Sequence, residues 1–306
     1  MDIASLNKKF AIGTDLIFRK LGSGTTLIEI DTPLATATIS LEGGQVLAWH
    51  PKSQSEPVLW VSKLANFVPD KAIRAGVPIC WPWFGAHPDD YRLPGHGFAR
   101  IVRWEVASTR LDASGVVEVE LTLATSEVAI ELLPSDWPAS VLLSVYIRIG
   151  EKLQVSLTST NNSERELSFT EGLHTYFHVS DITNISVQGL DDCEYVDLID
   201  GNKRRQQSGL IVFDGELGRI FVNCNKKSII VDHKFNRTIH VAGKGSNSIA
   251  VWNPWLDTAS KMPDLGSDGW RSMVCVETAN ALENAIVIQP GQQHTITAIY
   301  SVNDYA

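Results

Sequence analysis

Residues 171–179, EGLHTYFHV, carry two histidines four positions apart in a run that is otherwise apolar, aromatic or small. On a helix, His174 and His178 would share a face and could hold zinc. The helical metalloprotease pattern, however, needs a glutamate directly after its first histidine, and Thr175 stands there. On a strand, His174, Tyr176 and His178 would line one side together. Glu171 is close enough in sequence to serve as a third ligand, so spacing leaves three readings open: a metal pair, two structural histidines, or one histidine that moves protons. A second candidate is Glu277, which follows the apolar run 273–276 in MVCVETANA. Desolvation of a carboxylate there favours its neutral form, unless an ion pair holds the charge. A glutamate raised in this way is a base that works near neutral pH, and a histidine with the ordinary pKa of about 6.5 is a matching acid.

A third group lies in residues 71–103. Lys71, Arg74, Arg92, Arg100 and Arg103 outnumber Asp89 and Asp90 in a chain whose formal net charge is −9. Guanidinium groups bind phosphate or carboxylate through paired, directed hydrogen bonds. Trp81, Trp83, Phe84, Tyr91 and Phe98 lie among them, and aromatic faces suit the C–H faces of a sugar ring. An anionic small molecule such as a sugar phosphate is the ligand this segment suggests. Taken singly, the arginines also fit solvated loop charges and the aromatics also fit core.

The elements that must position these residues are strands. In VVEVELTL, Val117, Val119, Leu121 and Leu123 alternate with polar residues; LSVYIRI, LQVSLTST and TITAIYSV repeat the pattern. Period-two alternation marks half-buried antiparallel strands. Convincing amphipathic helices are missing, since the best candidate, near 125–133, is short and stopped by Pro134. Turn clusters between the strands (SLEGG, TNNSE, LIDGN, QPGQQ) point to a large antiparallel β-sandwich, read as one domain spanning 1–306. Residues 66–104, dense in Pro, Gly and aromatics, should form long loops over that sandwich.

The negative net charge disfavours nucleic acid and anionic membrane surfaces as partners. The start of the chain shows no secretory leader and no stretch is long enough to span a bilayer, so the expected location is the cytoplasm. Cys80, Cys193, Cys224 and Cys275 are scattered without a C-x-x-C pair, and all four are expected to be reduced and mostly buried.

Five ordered segments, AIRAGVPICWPWFG, LPGHGFARIVRWEV, LHTYFHV, VWNPW and VCVETAN, resemble the hexose-6-phosphate mutarotases. These form the glucose-6-phosphate 1-epimerase branch of the aldose 1-epimerase (galactose mutarotase-like) superfamily. The resemblance implies a β-sandwich enzyme without cofactor or metal, exchanging the α and β anomers of a hexose 6-phosphate; the chain is separately expected to work as a monomer. It implies His174 as the acid at the ring oxygen and Glu277 as the base at the C1 hydroxyl. Arg74, His96 and Arg100 are the implied contacts to sugar hydroxyls and phosphate; from the aromatic-rich segment itself, Trp83 is expected to contact the substrate as well. His178 matches no motif position and is read as a structural or pocket-lining neighbour. Two departures stand out. Gly218 in ELGRIF occupies a position where the family usually has an aspartate, for which Glu216 or Asp214 could substitute. MPDLGSDGW is about two residues longer than the family's loop. The alternative function is a non-catalytic sandwich that binds sugar phosphates.

Overall fold

Val117, Val119, Leu121 and Leu123 are buried along the strand Val117–Ala124, and Leu143, Val145, Ile147 and Ile149 along Val141–Ile149. The two strands pair antiparallel from Val117 against Ile149 to Ala124 against Leu142, so both apolar rows face one side. The exception in the polar row is Glu118, buried under two guanidinium groups, with Arg110 at 2.6 Å and Arg148 at 3.2 Å.

The computed structural model describes residues 1–135, 137–138 and 140–305. These two strands belong to an eight-stranded sheet that also contains Leu153–Asn161 and the long Gln293–Asp304. A second eight-stranded sheet runs Lys203–Gln206, Glu194–Asp197, Leu217–Val222, Ser248–Asn253, Met273–Asn280, Glu171–Leu173 and Ile79–Cys80, with Tyr176–His178 also paired to Met273–Asn280. A four-stranded meander, Leu16–Lys20 to Gln45–Pro51, and a two-stranded ribbon complete the architecture. Every paired strand is antiparallel to its neighbour, as the sequence led us to expect of a β-sandwich.

Met273–Asn280 is buried at all eight positions, so it is covered on both faces. One face meets the other large sheet, where Phe177 and Tyr300 pack edge to face at 5.4 Å. The other face is the floor of the site described below. Residues 66–104 contain only the two-residue strand Ile79–Cys80 and otherwise wrap the second sheet as loops, as expected.

Two features escaped the sequence reading. Ile3–Phe10 is an α-helix; Asp2 Oδ1 accepts the Ser5 N–H at 2.8 Å as its N-cap, and Leu6 and Phe10 are buried. The i, i+3, i+7 spacing of Ile3, Leu6 and Phe10 behind an aspartate is a helix signal that the strong strand alternation downstream overshadowed. Secondly, Cys193 and Cys224 form a disulfide, which corrects the expectation that all four cysteines are reduced; Cys80 and Cys275 are free and buried. The cysteines flank Tyr195 and Phe221, partners on adjacent strands, so strand pairing brings together residues 31 apart in sequence. Among the described residues no helix is long and apolar enough to cross a membrane.

Candidate active site

Across the second sheet Glu277 pairs with Ala250, Ala250 with Ile220 and Ile220 with Val196. Directly opposed residues project to the same face, and all four line one cavity of about 930 Å³. Glu277 therefore rises beside an apolar floor of Ala250, Ile220 and Val196.

His174 reaches the same cavity by an interruption of the ladder. Leu173 pairs with Thr278 and Tyr176 with Cys275, while His174 and Thr175 between them leave the sheet. The His174 N–H donates instead to Pro78 O at 3.0 Å, and the Thr175 hydroxyl meets Tyr300 OH at 2.6 Å. The imidazole is then stacked on Tyr176, with ring centres 4.9 Å apart and planes 8° from parallel. His174 Nδ1 comes within 3.4 Å of Glu277 Oε2. The two side chains are 9% and 2% exposed, and neither of these atoms has an aligned hydrogen-bond partner among the described residues.

The loops of residues 66–104 supply the opposite wall. Gly76 has φ +53°, and a Cβ there would lie 1.9 Å from Val46 O; Gly97 has φ +76°, and its Cβ would lie 1.9 Å from Trp81 O. Only glycine fits either position, which fixes the turns that present Arg74 and His96. His96 itself has φ +61°, a left-handed conformation uncommon outside glycine that histidine adopts more readily than most side chains. Its Nδ1 accepts the Gly85 N–H at 3.3 Å, so in the neutral ring Nε2 carries the proton and is the donor. Arg74 donates to Tyr176 OH at 2.9 Å and pairs with Asp264 at 2.9 Å. Arg100 donates to Gly95 O at 2.7 Å and pairs with no carboxylate among the described residues.

These neighbours set the protonation of the central pair. Burial pushes the Glu277 carboxyl well above the usual range, only partly countered by Arg100. Burial, then His96, Arg100 and Arg74, hold His174 well below its ordinary value. His96 is depressed to about 3 by burial and the same two arginines. The expected rise at Glu277 is present. The expected ordinary pKa at His174 is not, because a buried imidazole facing two guanidinium groups resists a further positive charge.

The structure brings together His174, Glu277, Arg74, His96 and Arg100 as lining residues of one cavity, and leaves Trp83 out. Trp83 is core: it is buried, its indole N–H donates to Pro94 O at 2.8 Å, and its ring packs on Phe98. Its neighbour Phe84 lines the cavity instead. Arg92 is held by Asp90 and Arg103 by Glu42, outside the cavity lining, as is Lys71. His178 points elsewhere, toward Ser272 O at 3.3 Å and Phe235, so the pairing of His174 with His178 as metal ligands is not what the fold builds. Among the described residues, those that do offer ligand atoms within 4.8 Å of one another are His174, Cys275 and Glu277. Neither Glu216 nor Asp214 replaces a carboxylate at Gly218: Gly218 lines the cavity and they do not, Glu216 accepting from Thr258 at 2.6 Å. Sequence reasoning also missed Arg204, which lines the cavity while bound to Glu194 and Glu283, and Asp264, which sits in the long MPDLGSDGW loop.

The model of the aldose 1-epimerase family matches residues 26–301 of this chain. A protein of Escherichia coli K12 bearing the provisional name glucose-6-phosphate 1-epimerase is 36% identical over 275 residues, which is 89% of both chains. A protein of Cenchrus ciliaris with the same provisional name is 36% identical over 266 residues, covering 84% of this chain and 78% of its own. The crystal structure of YeaD from Salmonella typhimurium, provisionally called a mutarotase, superimposes with a TM-score of 0.88 at 31% identity, covering 96% of each chain.

Proposed function

Because this chain belongs to the aldose 1-epimerase family, we propose that it exchanges the α and β anomers of hexose 6-phosphates, with glucose 6-phosphate as the first substrate. The observation that carries the reading is the buried His174–Glu277 pair, 3.4 Å apart at the floor of a cavity that also holds Arg100 and Arg74. A binding-only sandwich has no use for a carboxylate whose burial raises its pKa beside an imidazole whose burial lowers it.

The pair shares one proton. In the resting site burial favours the neutral tautomer, with the proton on Glu277; moving it across the 3.4 Å gap gives the carboxylate and the imidazolium. In that form Glu277 takes the proton from O1 while His174 gives its proton to O5. The C1–O5 bond breaks and the open aldehyde results, and the pair again holds one proton, now on Glu277. Rotation about C1–C2 turns the other carbonyl face toward the returning O5 hydroxyl. Reclosure reverses the roles and yields the other anomer. Tyr176, stacked on His174 and fixed by Arg74, holds the imidazole in place.

Arg100 is the principal phosphate contact, since among the described residues its charge has no carboxylate partner, whereas Asp264 already balances that of Arg74. His96 offers its Nε2–H to a sugar hydroxyl. The proposed enzyme acts as a monomer, as one domain and in the cytoplasm, and needs no cofactor. Exchange spectroscopy by NMR on the anomeric protons of glucose 6-phosphate tests the reading. Purified protein should raise the exchange rate above the buffer rate in proportion to its concentration; a rate indistinguishable from buffer removes it.

A further inference from the structure

We propose that His174, Cys275 and Glu277 together form a binding site for a thiophilic divalent cation, with zinc as the type ion, and that such an ion closes the site to sugar. Cys275 and Glu277 are two residues apart on the strand Met273–Asn280 and so project to the same face, toward His174. One ligand atom from each lies within 4.8 Å of the others. Zinc bonds of about 2.0–2.3 Å in a tetrahedral shell set ligand atoms roughly 3.3–3.8 Å apart. The 3.4 Å between His174 Nδ1 and Glu277 Oε2 already meets this. With one sulfur the S···N and S···O spacings are about 3.5 Å, so the Cys275 sulfur needs to close by no more than about 1.3 Å, a movement that rotation about its Cα–Cβ bond supplies.

A second observation points to a ligand. His174 Nδ1 and Glu277 Oε2 are both deeply buried and without an aligned hydrogen-bond partner among the described residues. One sulfur, one imidazole nitrogen and one carboxylate oxygen make a donor set for zinc or cobalt rather than for magnesium or calcium, which take oxygen. His174 and Glu277 line the cavity while Cys275 stands wholly buried beside them, so an ion entering from the cavity keeps its fourth position toward solvent. As the metal–sulfur bond forms, the thiol proton, and any proton on the pair, leaves to the buffer. The ion would occupy the atoms that exchange protons with O1 and O5, so it would compete with sugar. Only this competition rests on the proposed epimerase activity; the binding does not.

The test uses the full chain, stripped with a chelator and titrated with zinc chloride and with cobalt chloride. One equivalent of cobalt should give a tetrahedral visible spectrum with a thiolate-to-cobalt charge-transfer band in the near ultraviolet. In Cys275→Ser the band should vanish and zinc affinity fall by more than about 10-fold, the least that even an outer-shell change costs. Cys80→Ser, which alters the other free buried cysteine, should keep both. Thermal melts of the two variants report that each is folded. Zinc should raise KM for glucose 6-phosphate in wild type and not in Cys275→Ser. A cobalt complex without the thiolate band, or a band that survives Cys275→Ser, overturns the proposal. A band lost only in Cys275→Ser, in a protein that catalyses no exchange, upholds the site and removes the epimerase reading.

Discussion

Replacing Glu277 with glutamine separates its two effects, one on rate and one on stability. The amide keeps the shape and volume of the carboxyl, and the contact it alters, 3.4 Å to His174, is not an aligned hydrogen bond, so packing is preserved. What is lost is a group that accepts and returns a proton. General acid–base catalysis by one positioned side chain contributes about 10²–10⁴-fold, or roughly 3–5 kcal/mol of barrier. Glu277→Gln should therefore lower kcat for anomer exchange by at least about 100-fold. The stability effect has the opposite sign. Burial raises the folded pKa of Glu277 above its unfolded value of about 4.3, so its contribution to stability is fully present below that value and is lost as pH rises through the folded pKa. Glutamine carries no such penalty. The variant should melt higher than wild type near pH 8 and at about the same temperature near pH 4. NMR exchange measures the first effect and circular-dichroism melts the second. A variant as fast as wild type, or one that melts lower at alkaline pH, would refute the assignment of a buried, proton-carrying Glu277.

Other substitutions divide the neighbouring roles. Arg100→Ala should raise KM for glucose 6-phosphate by about 10- to 100-fold relative to glucose, as expected for a charge-assisted hydrogen bond of about 1.5–3 kcal/mol. Arg74→Ala should lower kcat for both sugars alike, because it frees the Tyr176 hydroxyl that helps fix His174; steady-state exchange kinetics on the two sugars separate these outcomes. His174→Asn should abolish exchange in the same assay while His178→Asn keeps most of it, since His178 lies against Ser272 and Phe235 and outside the cavity. His294 provides a check away from the chemistry. Burial works against its charge, but Glu171 at 3.0 Å outweighs that and raises its pKa. That stabilisation is present below the unfolded value of about 6.5 and fades as pH rises through the folded one. Melting curves of His294→Gln should accordingly show a weaker loss of stability between neutral and alkaline pH than wild type.

The strands were legible because burial on one face forces alternation, which Val141–Ile149 shows throughout and Val117–Ala124 shows except at the ion-paired Glu118. The strand that carries Glu277 was legible for a different reason. Met273–Asn280 is covered on both faces and reads as an apolar run, against which Glu277 stands out as the one carboxylate. Arg74, His96 and Arg100 could be found from motif and charge, but the division of labour between the two arginines depends on Asp264, which is 190 residues further along the chain and reaches Arg74 only through folding. Trp83 and Phe84 are adjacent aromatics, and nothing in their types says which faces the core; Gly172, whose absent Cβ leaves room for the Phe84 ring, decides it. The disulfide was hidden because cysteine spacing is informative only for local motifs, whereas Cys193 and Cys224 meet through strand pairing.

The most direct test of the central claim is anomer exchange measured side by side on glucose 6-phosphate and glucose with the same wild-type protein. The expected result is acceleration of both over buffer, with kcat/KM greater for the phosphate ester by at least about 10-fold, the factor that one charge-assisted contact to Arg100 provides. Equal kcat/KM for the two sugars would contradict a site built for hexose 6-phosphates.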